Sequence, residues 1–392
     1  MTTQVIITLC ILLLIAYVFD ISASKTRIPS VVLLLLLGYI VQHLTAWFDI
    51  QIPDMSSVLP ILGTVGLILI VLEGSLELEL NRDQLPFVRK TFISASLPLI
   101  LISIIAAYVI QYLDGGSFKS AITNAIPLAI ISSAIAIPSA HHLSQANRNF
   151  VIYESSFSDI LGVILFNFVA LNAVIDGTAL LHFSGQLLAM IAITIMATLL
   201  LAFLLGKINH HIKFGPIILM IILIYAMAKE YHLPALIFIL LFGLFLRNVD
   251  EVTAWKKLSF IQSDELVSEV SKLKELTAEA AFLIRTLFFI LFGFLIQTEE
   301  LLNPDSFPLA LAIVSGIIAL RYLVLRLLSF PTTPVLFIAP RGLITILLFL
   351  SVPLEDVSET INKSLIIQVI MLSAFIMMLG LMFYKPKPTA GE

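Results

Sequence analysis

Residues 149–170 read NFVIYESSFSDILGVILFNFVA. The stretch is apolar enough to cross a membrane, yet it carries two carboxylates, Glu154 and Asp159, and three serines. A charged side chain at the centre of a spanning helix costs on the order of 2.5–3.5 kcal/mol on insertion scales, so such residues pair or line a path. At about 100° per residue, Ser155 lies about 40° from Asp159, Gly162 about 60°, Ser158 about 100° and Glu154 about 140°. Asp159 therefore shares its face with hydroxyls and a small residue, while Glu154 points elsewhere. Asp159 also sits about 14 Å into its span, close to the bilayer midplane.

The rest of the chain is of the same kind. It has 392 residues, 59% of them apolar and only 12% charged, with a mean hydropathy of +1.07. Apolar runs long enough to span recur from end to end, which predicts an all-α polytopic membrane protein. Thirteen spans are expected, at 4–20, 31–47, 58–74, 91–112, 121–140, 150–171, 186–205, 215–229, 233–246, 281–297, 307–328, 333–352 and 365–383. The first has no basic leader and no small-residue cleavage site, so it reads as a span and not a signal peptide. The tail YKPKPTAGE is too short to fold, so no soluble C-terminal domain is expected.

Loop charge tests that count. With the N-terminus outside and the C-terminus cytoplasmic, Lys119, Lys229 and Lys363 are the only bases on the outer side. Arg341 falls inside a span, and every other Lys and Arg falls to the cytoplasmic side, as the positive-inside rule requires. A multi-pass protein of the cell (plasma or inner) membrane follows, with the bilayer as its partner and no nucleic acid. The one long loop, 247–280, places Leu266, Val270, Leu273 and Leu276 at helical spacing. It reads as an amphipathic helix on the cytoplasmic surface.

An odd number of spans suggests two inverted six-helix repeats, 1–171 and 215–383, joined by a linker helix at 186–205 within a single transporter domain. The fifth helix of each half is breakable. Span 5 carries Pro127, Ser132, Ser133 and Pro138, and span 12 carries Pro340, Arg341 and Gly342. Proline removes a backbone donor, and freed carbonyls are tolerated at this depth only where protein or a hydrated cavity satisfies them. A crossed pair of broken helices is expected. Among the intramembrane charges, the economical arrangement pairs Glu154 with Arg341 as a structural ion pair and leaves Asp159 facing a hydrated pocket. Glu73, near the inner end of span 3, is either an interfacial acid or a cavity-lining one. A proton and a monovalent cation would compete for Asp159, and that competition combined with alternating access suffices for exchange.

Other chemistry is absent. A lone cysteine, Cys10, excludes an internal disulfide and any cysteine metal cluster. His141, His142, His210 and His211 fall in loops, and no phosphate loop, nucleophile elbow or zinc spacing is present. No enzyme and no cofactor are expected; the ions handled are transported Na+ or K+ and H+.

YESSFSDILGVILF resembles the sixth helix of the monovalent cation:proton antiporter family, the sodium/proton exchangers and their potassium-efflux relatives. Glu154 and Ser155 match the family's Glu-Ser, Ser158 stands where Asn is usual, and Asp159 matches the ion-binding aspartate. APRGLITILLFL resembles the Arg-Gly segment of its second broken helix, and LEGSLELEL its third-helix Glu-Gly segment. The resemblance implies that Arg341 pairs with Glu154 and that Glu73 contributes to the pocket. It also implies a homodimer with a panel and a moving core, and a role in pH homeostasis. Span 5 departs from the exchangers' Thr-Asp-Pro and is closer to the potassium-efflux branch, which makes Ser132 and Ser133 candidate ligands. A single acid at the helix-6 pair suggests one proton per cation. The competing readings are an anion or organic-solute transporter that uses an unpaired Arg341, and a non-transporting sensor or assembly protein on the same fold.

Overall fold

The computed structural model describes residues 2–26, 28–48, 55, 57–78, 84–140, 143–172, 177–207, 214–231, 233–248 and 264–384. Among them there are helices and no strand. The helices are α1 (Thr2–Thr26), α2 (Ser30–Trp47), α3 (Val58–Ser75), α4 (Leu85–Asp114), α5 (Phe118–Ala129), α6 (Ser133–Ser139), α7 (Gln145–Leu171) and α8 (Gly177–Lys207). They continue with α9 (Phe214–Glu230), α10 (Leu236–Arg247), α11 (Asp264–Phe294), α12 (Thr298–Leu301), α13 (Phe307–Leu327), α14 (Leu343–Leu350) and α15 (Lys363–Phe383).

Each of the thirteen expected spans finds a helix or a broken helix. Ten are long and apolar enough to cross a membrane, with α5 and α6 counted as one. Of the other three, α9 has 17 residues, α10 has 12, and the twelfth is broken into a short 3-10 turn (Val335–Phe337) and α14. The boundary between spans 8 and 9 holds: α9 ends at Glu230 and Leu233–Ala235 turn the chain into α10.

The loop expected at 247–280 is different. From Asp264 onward it is helix, continuous with span 10 in a single α11 of 31 residues. Val270 and Leu273 are buried, so this part packs on the protein and does not lie flat on a lipid surface. The apolar spacing was a sound helix signal, but the partner of that face is other helices. Residues 251–263 and His141, His142, His210 and His211 lie outside the described residues.

Two bundles result. One is built from α1, α2, α3, α8, α9, α10 and α11, with α11 packed along both α2 and α3. The other is built from α4, α5, α6, α7, α13, α14 and α15. The third helix also touches α6, α7 and α14, and so forms the seam between the bundles. The α2–α11 crossing is close because a glycine sits on each side. A Cβ on Gly38 would strike Ile290 O, and one on Gly293 would strike Leu35 O.

Backbone cannot retreat as a flexible side chain can, so a larger residue there forces the helices apart. Gly38→Leu is expected to lower the apparent melting temperature in detergent, with a loss of about 1–3 kcal/mol or more. Gly185→Leu on α8, where a Cβ meets nothing within 4 Å, should leave it unchanged.

Candidate functional site

The fifth span unwinds at Ile130–Ser132, between α5 and α6. Pro127 and Pro138 flank the break and lie inside the two half-helices; Pro340 and Gly342 lie within the break of span 12 itself. The two breaks cross, and Ser132 N donates to Pro340 O at 2.8 Å. Gly342 has an extended backbone, φ −174°, that any residue could adopt. Its requirement is space: a Cβ there would lie 2.8 Å from Ser132 Oγ and 2.7 Å from Ile135.

Unwinding frees amides and carbonyls that must be matched in a medium without water. Here several of them are matched by side chains. On α7, Ser158 Oγ accepts from Ile131 N at 2.9 Å and Asp159 Oδ2 accepts from Ser133 N at 3.3 Å. Arg341 donates to Leu128 O at 2.8 Å, Ala129 O at 3.0 Å and Ala339 O at 2.6 Å, and its own amide donates to Ser373 Oγ at 3.0 Å. The carbonyls of the second break are held by a different arginine. Arg321, on α13, donates to Val335 O at 2.8 Å and Ile338 O at 3.3 Å.

The ion pair differs from the expected one. Glu154 pairs with Arg321, at 2.8 Å and 2.6 Å through both oxygens, and accepts from Ser94 at 2.8 Å. Arg341 makes no ion pair with it; its donors are directed at the three carbonyls. Helix geometry correctly turned Glu154 away from Asp159, but Arg341 was the only base recognised within a span. Arg321 was assigned to the cytoplasmic end because it falls seven residues before the limit of its span, where a long side chain can reach water. In the fold it is 2% exposed. A base at the head of RYLVLR, behind the apolar run LALAIVSGIIAL, was the available signal; Ser94 and Ser373 offered none.

The remaining residues divide. Ser155 donates to Val151 O of its own helix at 2.7 Å. Glu73 is half-buried, and no hydrogen bond joins it to Asp159 among the described residues. The charges that act on it are Arg285, Glu77, Lys274 and Asp20, with Arg285 foremost. Asp159 Oδ1 and Ser132 Oγ are buried and have no partner, and so does Thr345 Oγ1 in the first turn of α14, a hydroxyl that sequence reading passed over. Asp159 is fully buried and is not in the lining of the cavity nearest to it along α7. A cavity of about 350 Å³ between the bundles descends along α7 from Ala170 through Asn167 and Phe166 to Val163. Val163 is one turn, about 6 Å, from Asp159.

A family model for the transmembrane region of sodium/hydrogen exchangers matches residues 10–384. The chain belongs to the sodium/hydrogen exchanger family. Cation/proton antiport is accordingly its class of function, in a family of transporters and not enzymes. No curated protein sequence matches this exchanger. Its fold is similar to the sodium proton antiporter MjNhaP1 from Methanocaldococcus jannaschii in two solved structures. The pH 8 structure has 20% identity and a TM-score of 0.67, covering 97% of this chain and 96% of that one. The electron-microscopy structure has 18% identity and a TM-score of 0.70, covering 99% and 100%.

The exchanger's two buried arginines should be separable by a double-mutant cycle. Glu154→Gln is expected to couple to Arg321→Met by about 2 kcal/mol in apparent thermal stability, since removing one partner strands a buried charge. Coupling of Glu154→Gln to Arg341→Met should be well under half of that.

Proposed function

We propose that this chain exchanges a monovalent cation, Na+ or K+, for H+ by alternating access, with Asp159 as the carrier group. The observation that carries the reading is the unequal use of its two oxygens. Oδ2 is fastened to the break of span 5 by Ser133 N, whereas Oδ1 is buried and unbonded. A bare carboxylate in low dielectric is strongly penalised, and a proton or a cation relieves that penalty equally well in formal charge. Ser132 Oγ, also unpartnered, and the Ser133 hydroxyl beside Asp159 are the oxygens best placed to help hold a cation. Ser155 joins them only if its hydroxyl turns from Val151 O, and Glu73 only if its side chain turns toward Asp159. In this reading Ser158, Glu154, Arg321 and Arg341 keep the breaks in shape and carry no ion.

The bundle seam supports alternating access, because α3, α7 and α14 meet there with the cavity on one side. The similarity of spans 5 and 12 supports two inverted repeats, and the loop charges support an N-out, C-in orientation. A homodimer in the plasma or inner membrane accords with family membership. The sodium proton antiporter named above favours Na+. The anion reading loses ground, because Arg341 is buried and its donors meet carbonyls.

The test is proton flux in proteoliposomes, read with a pH-sensitive dye, on addition of Na+, K+ or Li+. Wild type should show cation-driven flux and Asp159→Asn none, with unchanged folding on size-exclusion chromatography. Equal flux from both proteins removes Asp159 from the mechanism. Competition also fixes a sign: the cation KM should rise as pH falls, approaching about tenfold per pH unit under acid conditions, while the maximal rate at saturating cation holds.

A further inference from the structure

The cavity that leads toward Asp159 has a charge of the wrong sign for its cargo. Besides α7, it is lined by Thr64 and Leu67 of α3, by Leu347 and Ser351 at the end of α14, and by Tyr225 and Lys229 of α9. Among the described residues, Lys229 is the one formally charged residue in its lining. A second cavity of about 490 Å³ shares Thr64, Tyr225 and Lys229 with it and adds Glu230. Lys229 therefore stands where the two spaces meet. It has no hydrogen bond or ion pair among the described residues, so its charge is not neutralised by direct contact there. Its place in the last turn of α9 suits the helix dipole. That accounts for a base at this height, but not for its presence in the lining of both cavities.

We propose that Lys229 is an electrostatic filter at this mouth, setting the apparent affinity for the cation on that side of the membrane. The inference rests on the reading of Asp159 as the transport site. Lys229 is exposed, so its charge is partly screened, but a positive charge held at a cavity mouth still lowers the local concentration of cations and raises that of anions. At separations near 10 Å and intermediate dielectric, a unit charge shifts occupancy by about threefold to tenfold. The filter makes exchange asymmetric: the cation is released readily on the Lys229 side and taken up weakly there. By the loop charges, that side is the exterior.

The experiment uses the full chain in right-side-out and everted vesicles, with Na+ added to the bath. Loss of flux in Asp159→Asn in the same vesicles confirms the underlying reading first. At a pH high enough that proton competition no longer sets the KM, Lys229→Met should then lower the Na+ KM by about threefold to tenfold in the orientation that presents Lys229 to the bath, with little change in maximal rate. Lys229→Arg should retain the wild-type KM. The difference should shrink as ionic strength rises from about 10 mM to about 200 mM, as screening demands. Charge is isolated from shape in a Cys10→Ser background with Lys229→Cys, modified by thiosulfonates of similar size. A positive adduct should restore the high KM, a neutral one leave it low and a negative one lower it further. A KM that is unchanged, that follows side-chain size and not charge, or that changes equally from both sides overturns the inference.

Discussion

Unpaired backbone is what this architecture has to contain. A helix that unwinds within the hydrocarbon strands amides and carbonyls that no water can satisfy. In this chain two spans unwind where they cross, and the crossing is closed by partners drawn from several other elements. One backbone bond, Ser132 N to Pro340 O, joins the breaks directly. Ile131 N and Ser133 N go to Ser158 and Asp159 on α7, Arg341 N goes to Ser373, and carbonyls beside both breaks go to two arginines. The unwound segments are thus tied to each other and to α7, α13 and α15 at many points, while a few buried oxygens at the crossing are left without a partner.

This accounting separates the two acids of α7 more sharply than their burial does. Glu154 uses both oxygens, on Arg321 and Ser94. Its task is to make a buried guanidinium tolerable, so that Arg321 can hold the carbonyls of Val335 and Ile338. A buried pair of this kind contributes little net stability compared with an apolar pair. What it supplies is a fixed geometry for a break that would otherwise collapse. Arg341 manages without an acid because three carbonyl oxygens surround its donors. Of the two acids of α7, it is Asp159 that keeps an oxygen in reserve.

The fold was largely legible in the sequence, because hydropathy, loop charge and proline placement each constrain a membrane chain strongly. All thirteen spans and both breaks follow from those signals. Two features did not follow. The amphipathic stretch before span 10 showed its helical period, but a period does not reveal whether the apolar face meets lipid or protein. At the crossing, Glu154 was paired with the wrong arginine, since a base near a span's end reads as one that reaches water. Only the tertiary position of the Val335–Ile338 carbonyls explains why Arg321 turns inward. Asp159 could be singled out from helix angles, but its bond to Ser133 N could not, because that depends on where a second helix breaks.

One consequence concerns the charge that moves. If the bundle containing α5, α6 and α7 shifts against the other, everything fastened to the crossing moves with it. Glu154 and Arg321 cancel within that bundle, and Arg341 travels with its carbonyls in every state. On the proposed reading, proton and monovalent cation would bring the same unit charge to Asp159, so the two loaded forms would be electrostatically alike. The form with Asp159 ionised and bare differs from both by one unit of charge in a medium that penalises it. Coupling then needs no separate gate to forbid the empty passage. On that reading the cost of exposing a lone carboxylate to the membrane interior would enforce it, and a single acid at the centre would suffice for one-for-one exchange.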